Sequence, residues 1–429
     1  EVQALIQYVS FFYPNLVYQH GGLTHHGIFI AAAFMLIISF INYYSLRWLI
    51  RSNTFITWLK LIVPIIIALF LLLKTGSNHP LSHQGPFMPF GWHGVFAAIA
   101  TGGIVFAYNG FKQAAELAGE AKNPEKALPF AIIGSLVICF FIFLLLQYAF
   151  IKALSPQNLS LGFAHIHLSD NNSPLSSLLL QNHLQYLLPL LITAAIISPL
   201  GAAIMYCSGS SRVLYAMGQS NYMPSWLSTL SPRGLPKNAI IFNFFVGMLL
   251  FFPLPGWQNM MAFLTTLMAI TYALGPLSLY IIRYRLPESD HAFQLPFGYV
   301  WAMLSFYLST LLAYFSGWFI ISKMLIGMAI GATMLLVCHF KAEKKNQLSK
   351  KDYFAGLWIL PYFVGIGISS YLGNFYGGHH IISDSASFFL LALTCIITLY
   401  LTKKFALSSS EITHNVQRYK LKRAQTAKI

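Results

Sequence analysis

Long apolar runs dominate this chain and decide its class. Eleven of them are long enough to cross the hydrocarbon core of a bilayer as an α-helix, which takes about 20 apolar residues. They lie near residues 24–45, 54–73, 94–118, 128–153, 186–217, 237–253, 258–282, 297–317, 319–339, 353–372 and 384–402, after a shorter one at Val2–Leu16. Only 9% of the residues are charged, whereas soluble domains carry about 25%. The sequence therefore predicts an all-α integral membrane protein with many spans.

The basic residues fall in alternate loops. Of the 26 Lys and Arg residues, 21 lie in every second loop or in the C-terminal tail, and the opposite loops hold only Lys74 and Lys152 at their edges. Cytoplasmic loops carry an excess of Lys and Arg. We therefore expect a multi-pass protein of the cell (inner) membrane with a cytoplasmic C-terminus. This topology explains the net charge of +15, so nucleic acid is not an expected partner.

Sequence signals for enzymatic or cofactor chemistry are missing. The four cysteines lie in or at the ends of different spans and lack the spacing of metal ligands, so they are interpreted as small packing residues. The chain has no G-x-x-x-x-G-K-[ST] phosphate-binding motif, and its spans have no cluster of His, Asp and Glu. No enzyme activity, cofactor or metal is expected, and the oligomeric state stays open.

One apolar run is interrupted in its middle. The segment Gly102–Pro129 reads GGIVFAYNGFKQAAELAGEAKNPEKALP and places Asn109-Gly110 at mid-membrane, followed by Lys112, Glu116 and Glu120. Backbone groups that lack helical partners are tolerated in a membrane only where they are buried in protein or line a cavity. A broken helix followed by charges is therefore a candidate binding site for a polar solute.

This segment resembles the sixth helix and following loop of the amino acid–polyamine–organocation superfamily. The shared pattern is an aromatic-rich half-helix, a glycine break, an amphipathic half-helix and the motif E-x-x-N-P-x-x-x-x-P. The motif is matched by Glu120, Asn123, Pro124 and Pro129. Further segments resemble the end of the third helix, the fifth helix and the end of the eighth: EVQALIQY at the start, NTFITWLKL at 53–61 and SSRVLYAMGQSNYMP at 210–224. The last four spans fit aspartate:proton symporter-like permeases more loosely.

The resemblance implies an inverted-repeat transporter fold. Its core has five plus five helices, some of them broken, and about four extra transmembrane helices follow it. The expected domains are a transporter core at 1–296, the extra helices at 297–402 and a basic cytoplasmic tail at 403–429. The family's first two helices and part of its third are absent from this sequence, so the natural protein is expected to be longer at its N-terminus.

The resemblance also assigns substrate-binding residues. The family's unwound stretch, whose exposed carbonyl groups hold the substrate ammonium, is matched by Phe106, Ala107, Tyr108, Asn109 and Gly110. The aromatic side chain at Phe106 corresponds to a gate over the substrate. Freed carbonyl oxygens and the amide donors of the next half-helix suit a zwitterion.

The charged residues after the break leave two interpretations open. Lys112, Glu116 and Glu120 are spaced by four residues and share one helical face. Lys112 either binds a side-chain carboxylate of the substrate, which would favour acidic amino acids, or pairs with Glu116 and closes the inner side of the site. Glu116 and Glu120, together with Asn123 and Pro124, are assigned to a gating or structural loop.

Lys60 is the candidate for proton coupling. It lies seven residues into its span and matches the fifth-helix lysine that stands, in proton-coupled family members, where sodium-coupled relatives bind sodium. An ammonium in apolar surroundings releases its proton more easily. The alternative is a side chain that extends along the helix to the cytoplasmic surface. Ser208, Ser210 and Ser211, on the span that resembles the eighth helix, either face this coupling site or pack against neighbours.

Together these features predict a secondary active amino acid transporter. It would take up amino acids with protons by alternating access, acidic amino acids being one candidate class. An amino acid exchanger is one alternative, and a transport-inactive sensor or subunit is another. The expected partners are an amino acid substrate, protons and the lipid bilayer.

Overall fold

The structure is a computed structural model, and all the regular secondary-structure elements of its described residues are helices. It describes residues 1–18, 21–44, 46–75, 88–116, 123–155, 166, 173–220, 222–232, 234–254, 256–286, 296–341 and 350–413. These residues contain no β-strand, and one isolated bridge joins Val17 and Leu23. The prediction of an all-α chain is confirmed.

A helix lies at each predicted span. In chain order the helices are α1 Val2–Val9, α2 His25–Tyr44, α3 Leu46–Thr75, α4 Gly91–Ala100, α5 Ile104–Ala107, α6 Phe111–Glu116, α7 Pro124–Ala153, α8 Pro174–Gln181, α9 Leu188–Gln219, α10 Lys237–Leu250, α11 Trp257–Arg285, α12 Gly298–Tyr314, α13 Trp318–Lys341, α14 Lys350–Ala355, α15 Ile359–Leu372 and α16 Asp384–Phe405.

Within the described residues, eight helical stretches are long and apolar enough to cross a membrane. They are His25–Tyr44, Thr54–Thr75, Lys126–Ala153, Gln185–Gln219, Trp257–Arg285, Trp318–Cys338, Tyr353–Leu372 and Asp384–Phe405. The other predicted spans correspond to the broken helix α4–α6, to α10 with 14 residues and to α12 with 17. This arrangement is that of a multi-pass membrane protein.

The first apolar segment forms a shorter helix than its composition predicts. Helix α1 ends at Val9, and a 3-10 turn follows at Pro14–Leu16. The residue before a proline is disfavoured in the helical conformation, and Tyr13 has a φ of −131° and a ψ of 80°, outside the helical region. Pro14 therefore keeps the helix from continuing through Tyr13, although the sequence stays apolar.

One compact unit comprises Glu1–Val95 and Tyr108–Met260. Helix α9 is central to it and packs against α1, α2, α3, α8 and α10. Helix α3 also packs along α7, and one apolar core lies among α3, α7, α8 and the start of α9. A second apolar core joins α1, α2 and α9. This unit contains Lys60 and the second half of the broken helix.

The other compact unit comprises Phe96–Ala107 and Met261–Ile429. Its core is formed by α11, α12, α13, α15 and α16, together with the first half of the broken helix. Large aromatic side chains fill this core, among them the fully buried Tyr314 and Tyr362. The predicted domains rest on sequence resemblance, whereas these units rest on contacts, and their boundaries fall at different residues.

Candidate functional site

The broken helix is interrupted at two places. Helix α4 ends at Ala100, α5 covers only Ile104–Ala107, and α6 begins at Phe111. The first interruption is the turn at 101–103 and the second is the turn at 108–110. The sequence predicted the second interruption, at Asn109-Gly110, and missed the first.

A glycine with positive φ lies in each interruption. Gly103 has a φ of 86° and Gly110 a φ of 122°, which L side chains rarely adopt. A Cβ on Gly103 would lie 3.1 Å from the Sδ of Met261, whereas no atom lies within 4 Å of a Cβ built on Gly110. Backbone conformation alone therefore requires glycine at 110, and conformation together with packing requires it at 103.

The predicted substrate residues occupy different local structures. Phe106 and Ala107 lie in α5, where the amide of Ala107 donates to the carbonyl of Gly103 over 2.9 Å. The three residues after them form the unwound turn, namely Tyr108, Asn109 and Gly110. Unwound backbone at this turn supplies the polar groups that the interrupted pattern predicts.

The second half of the helix is anchored on α7. The ring of Tyr108 meets the ring of Phe143 edge to face, with centroids 5.2 Å apart. Helix α6 also packs against α7. The division of the chain into compact units falls between Ala107 and Tyr108, so each half of the helix packs in a different unit.

Lys60 lies on the packed face of α3. Ile56, one turn earlier, is so close to α9 that its Cγ2 would lie 2.8 Å from a Cβ on Gly201. Val63 and Ile67, three and seven residues further on, are buried. Residues spaced in this way share a helical face, and Lys60 itself is half-buried. The lysine therefore belongs to a stripe that packs against protein.

The remaining predicted loop residues are described in part. Lys112 is half-buried in α6, Asn123 is the exposed residue that precedes α7, and Pro124 is the first residue of α7. Proline suits the first position of a helix, where no helical bond needs its N–H. The Glu116 side chain and Glu120 lie outside the described part of the chain, so the Lys112–Glu116 pair stays a prediction.

Two asparagines that the sequence analysis missed connect α9 to its neighbours. The Nδ2 of Asn243 in α10 donates to the hydroxyl oxygens of Ser210 and Ser211, over 2.9 and 3.0 Å. The Nδ2 of Asn42 in α2 donates to the carbonyl of Ile204 over 3.2 Å. The two serines thus take part in helix–helix contacts, and an isolated asparagine in an apolar run was the available signal.

Comparison with known proteins identifies the family of this chain. A family model described as amino acid permease matches residues 2–338. The chain is 30% identical over 405 residues to the glutamate/serine transporter AimA of Bacillus subtilis (strain 168), which covers 92% of this chain and 74% of that protein. It is 28% identical over 418 residues to the aspartate-proton symporter of the same organism, covering 97% and 80%.

A third relative is more distant. The branched-chain amino acid permease BcaP of Bacillus subtilis is 25% identical over 324 residues, covering 75% of this chain and 66% of that protein. All three relatives are amino acid transporters by name, and the predicted family and fold class are confirmed. This multi-pass membrane protein belongs to the amino acid permease family, within the amino acid–polyamine–organocation superfamily of transporters.

Proposed function

We propose that this protein takes up amino acids across the cell membrane by proton symport and alternating access. Membership of the amino acid permease family supports amino acid transport. The observation that carries the coupling mode is Lys60, a half-buried ammonium on the stripe by which α3 packs against α9. An ionisable group within a span is costly unless it faces protein or water and has a partner.

Lys60 is suited to take up and release a proton. Its amine can bind and release a proton, and it lies within the apolar span Thr54–Thr75 rather than at the end of that span. The proton-coupled symporter among the relatives supports the same coupling mode.

The substrate is proposed to bind at the unwound turn that follows α5. Carbonyl groups at 106–110 would accept hydrogen bonds from the substrate ammonium, and Phe106 would cover it. Lys112 would bind a side-chain carboxylate and so favour acidic amino acids. Two relatives named for glutamate/serine and aspartate support this substrate class.

The orientation rests on the distribution of charge. Basic residues occupy alternate loops and the C-terminal tail, so these segments are proposed to lie in the cytoplasm. The plasma membrane of the cell is the proposed location.

Uptake by the protein of full natural length, reconstituted in proteoliposomes, tests these proposals. Labelled aspartate, glutamate, serine and leucine would be offered with and without an inward proton gradient. We expect the gradient to drive uptake, with the acidic amino acids preferred. Uptake that ignores the gradient but requires amino acid inside the vesicles would establish exchange, and preference for leucine would contradict the acidic substrate class.

A matched pair of lysine variants tests the coupling residue. Lys60→Ala should abolish the gradient-driven part of uptake because it removes the proton carrier. Lys74→Ala changes an exposed lysine near the end of the same helix and should retain gradient-driven uptake. Full retention of gradient-driven uptake in Lys60→Ala would exclude Lys60 from coupling.

A further inference from the structure

The first half of the broken helix packs against the helices that follow the transporter core in sequence. Phe96 in α4 stacks on Phe315 at the end of α12, with ring centroids 4.9 Å apart and an angle of 6° between the rings. Its edge also meets the ring of Phe388 in α16, at 5.8 Å and 86°. Both partners come from a region more than 200 residues away in the chain.

Phe96, Phe315 and Phe388 belong to a larger aromatic cluster, which also includes Tyr314 and Phe375. The ring of Phe375 lies 5.2 Å from that of Tyr314 and 5.3 Å from that of Phe315. Phe315 is 5% exposed, Phe375 1% and Tyr314 0%. Aromatic rings in such edge-to-face and offset arrangements hold one another in defined orientations. The cluster is therefore a firm support for Phe96.

The backbone around the aromatic cluster is fixed by hydrogen bonds. The hydroxyl of Tyr307 in α12 donates to the carbonyl of Phe388 over 3.1 Å. The amide of Phe319, at the start of α13, donates to the carbonyl of Tyr376 over 3.1 Å. These bonds join α12 to α16 and the start of α13 to the loop before α16, at or beside residues of the cluster.

The first half of the broken helix has a second contact, with α11. The turn at Gly103 rests against Met261 of α11, whose Sδ would lie 3.1 Å from a Cβ at that position. The two points are seven residues apart, on either side of the fully buried Ala100. Together they fix where α5 begins, and α5 carries Phe106 and Ala107.

We infer that Phe315 and Phe388 are positioning residues for transport: through Phe96 they set the place of α5 and hence of the proposed substrate gate Phe106. The inference rests on the proposed function. It gives the C-terminal helices α12 and α16 a defined task, which is to hold the first half of the broken helix. A displacement of about 1 Å in a binding group is enough to lower a rate by up to a hundredfold, so a modest loosening of this support is expected to be measurable.

Two substitutions and a neighbouring control test this role. Phe315→Leu and Phe388→Leu remove a ring that contacts Phe96 but keep an apolar side chain of similar size. Phe389→Leu, one residue further along α16, changes a ring that is 72% exposed and serves as the control. Each variant would be made in the protein of full natural length, and its monodispersity checked before measurement.

Two readouts distinguish positioning from general destabilisation. An Ala107→Cys reporter, placed at an exposed residue of α5, would be labelled with a maleimide, and its modification rate followed by mass spectrometry. Transport kinetics would be measured without the reporter. We expect Phe315→Leu and Phe388→Leu to change the labelling rate and to raise KM by about tenfold, the equivalent of one lost aromatic contact, with a smaller effect on the maximal rate. Phe389→Leu should match the parent protein.

The outcomes separate this inference from the proposed function. Wild-type labelling and KM in both Phe315→Leu and Phe388→Leu would overturn the positioning role, as would equal effects in Phe389→Leu. Because labelling does not depend on transport, a changed labelling rate in a protein that moves no amino acid would support the positioning role and overturn the proposed function. If Phe315→Leu fails to fold, Phe388→Leu alone decides between these outcomes.

Discussion

The two halves of the broken helix are held in different ways. Residues 96–107 belong to a unit whose aromatic core includes the fully buried Tyr314, and they meet that core at Phe96 and contact Met261 of α11 at Gly103. Residues 108–116 lie on α7, where the ring of Tyr108 meets the ring of Phe143. Local stability follows buried contact, so the first half is expected to be the firmer and the second half the more mobile.

The largest loss of stability is expected at Gly317, in the turn between α12 and α13 beside the aromatic cluster. Gly317 has a φ of 77°, and a Cβ there would lie 2.7 Å from the backbone nitrogen of Tyr376 and closer still to its carbonyl oxygen. Gly317→Ala should lower the free energy of unfolding by about 4 kcal/mol through strain and overlap. Unfolding in mixed micelles with increasing SDS measures it.

A second glycine in the neighbouring helix is the control. Gly331 lies inside α13, and no atom lies within 4 Å of a Cβ built there. Gly331→Ala should leave stability unchanged or raise it by up to about 1 kcal/mol, because alanine favours the helix. A loss in Gly331→Ala equal to that in Gly317→Ala would show that α13 tolerates no change, and the special role of the turn would be rejected.

An intermediate effect is expected at the turn between α4 and α5. Gly103→Ala should destabilise the protein by about 2 kcal/mol, since it combines positive φ with a contact to the flexible Met261 side chain. Gly110→Ala involves positive φ without a neighbour and should cost about 1 kcal/mol. Met261 is itself buried, so the comparison is made in a Met261→Ala background: there the loss caused by Gly103→Ala should be smaller than in the parent protein, whereas the loss caused by Gly110→Ala should be unchanged. An equal Gly103→Ala loss in both backgrounds would contradict the packing role of Gly103.

The smallest effect is expected in the second half. Tyr108→Leu removes one edge-to-face contact with Phe143 and should reduce stability by about 1 kcal/mol. Phe130→Leu, at a ring of α7 that is 82% exposed, is the control and should have no measurable effect. A loss in Tyr108→Leu as large as that in Gly317→Ala would mean that the second half is held as firmly as the first.

Features that depend on residues close together in the chain could be predicted from the sequence. Apolar runs, proline and glycine positions and alternating charge gave the helices, the mid-membrane interruption at Asn109-Gly110 and the position of Lys60 inside a span. The interruption at Gly103 was not predicted, because its glycine lies in an apolar context that is compatible with a straight helix. The structure shows why glycine is present, since Gly103 has a positive φ and packs against Met261.

Features that depend on distant residues were missed. Asn243 bonds to Ser210 and Ser211 across 32 or more positions, and Phe96 meets Phe315 across more than 200. A sequence shows that these side chains are polar in an apolar run, or aromatic among many aromatics, but it does not show which partner each one meets.

The sequence by itself determined that this is a helical membrane protein with an interrupted helix, because the hydrophobicity of a segment and the helical period are local properties. The tertiary structure decided how that helix is divided: its first half packs with α11, α12 and α16, and its second half with α7. Packing partners are chosen by the fit of surfaces that are remote in sequence, and only the folded chain brings those surfaces together.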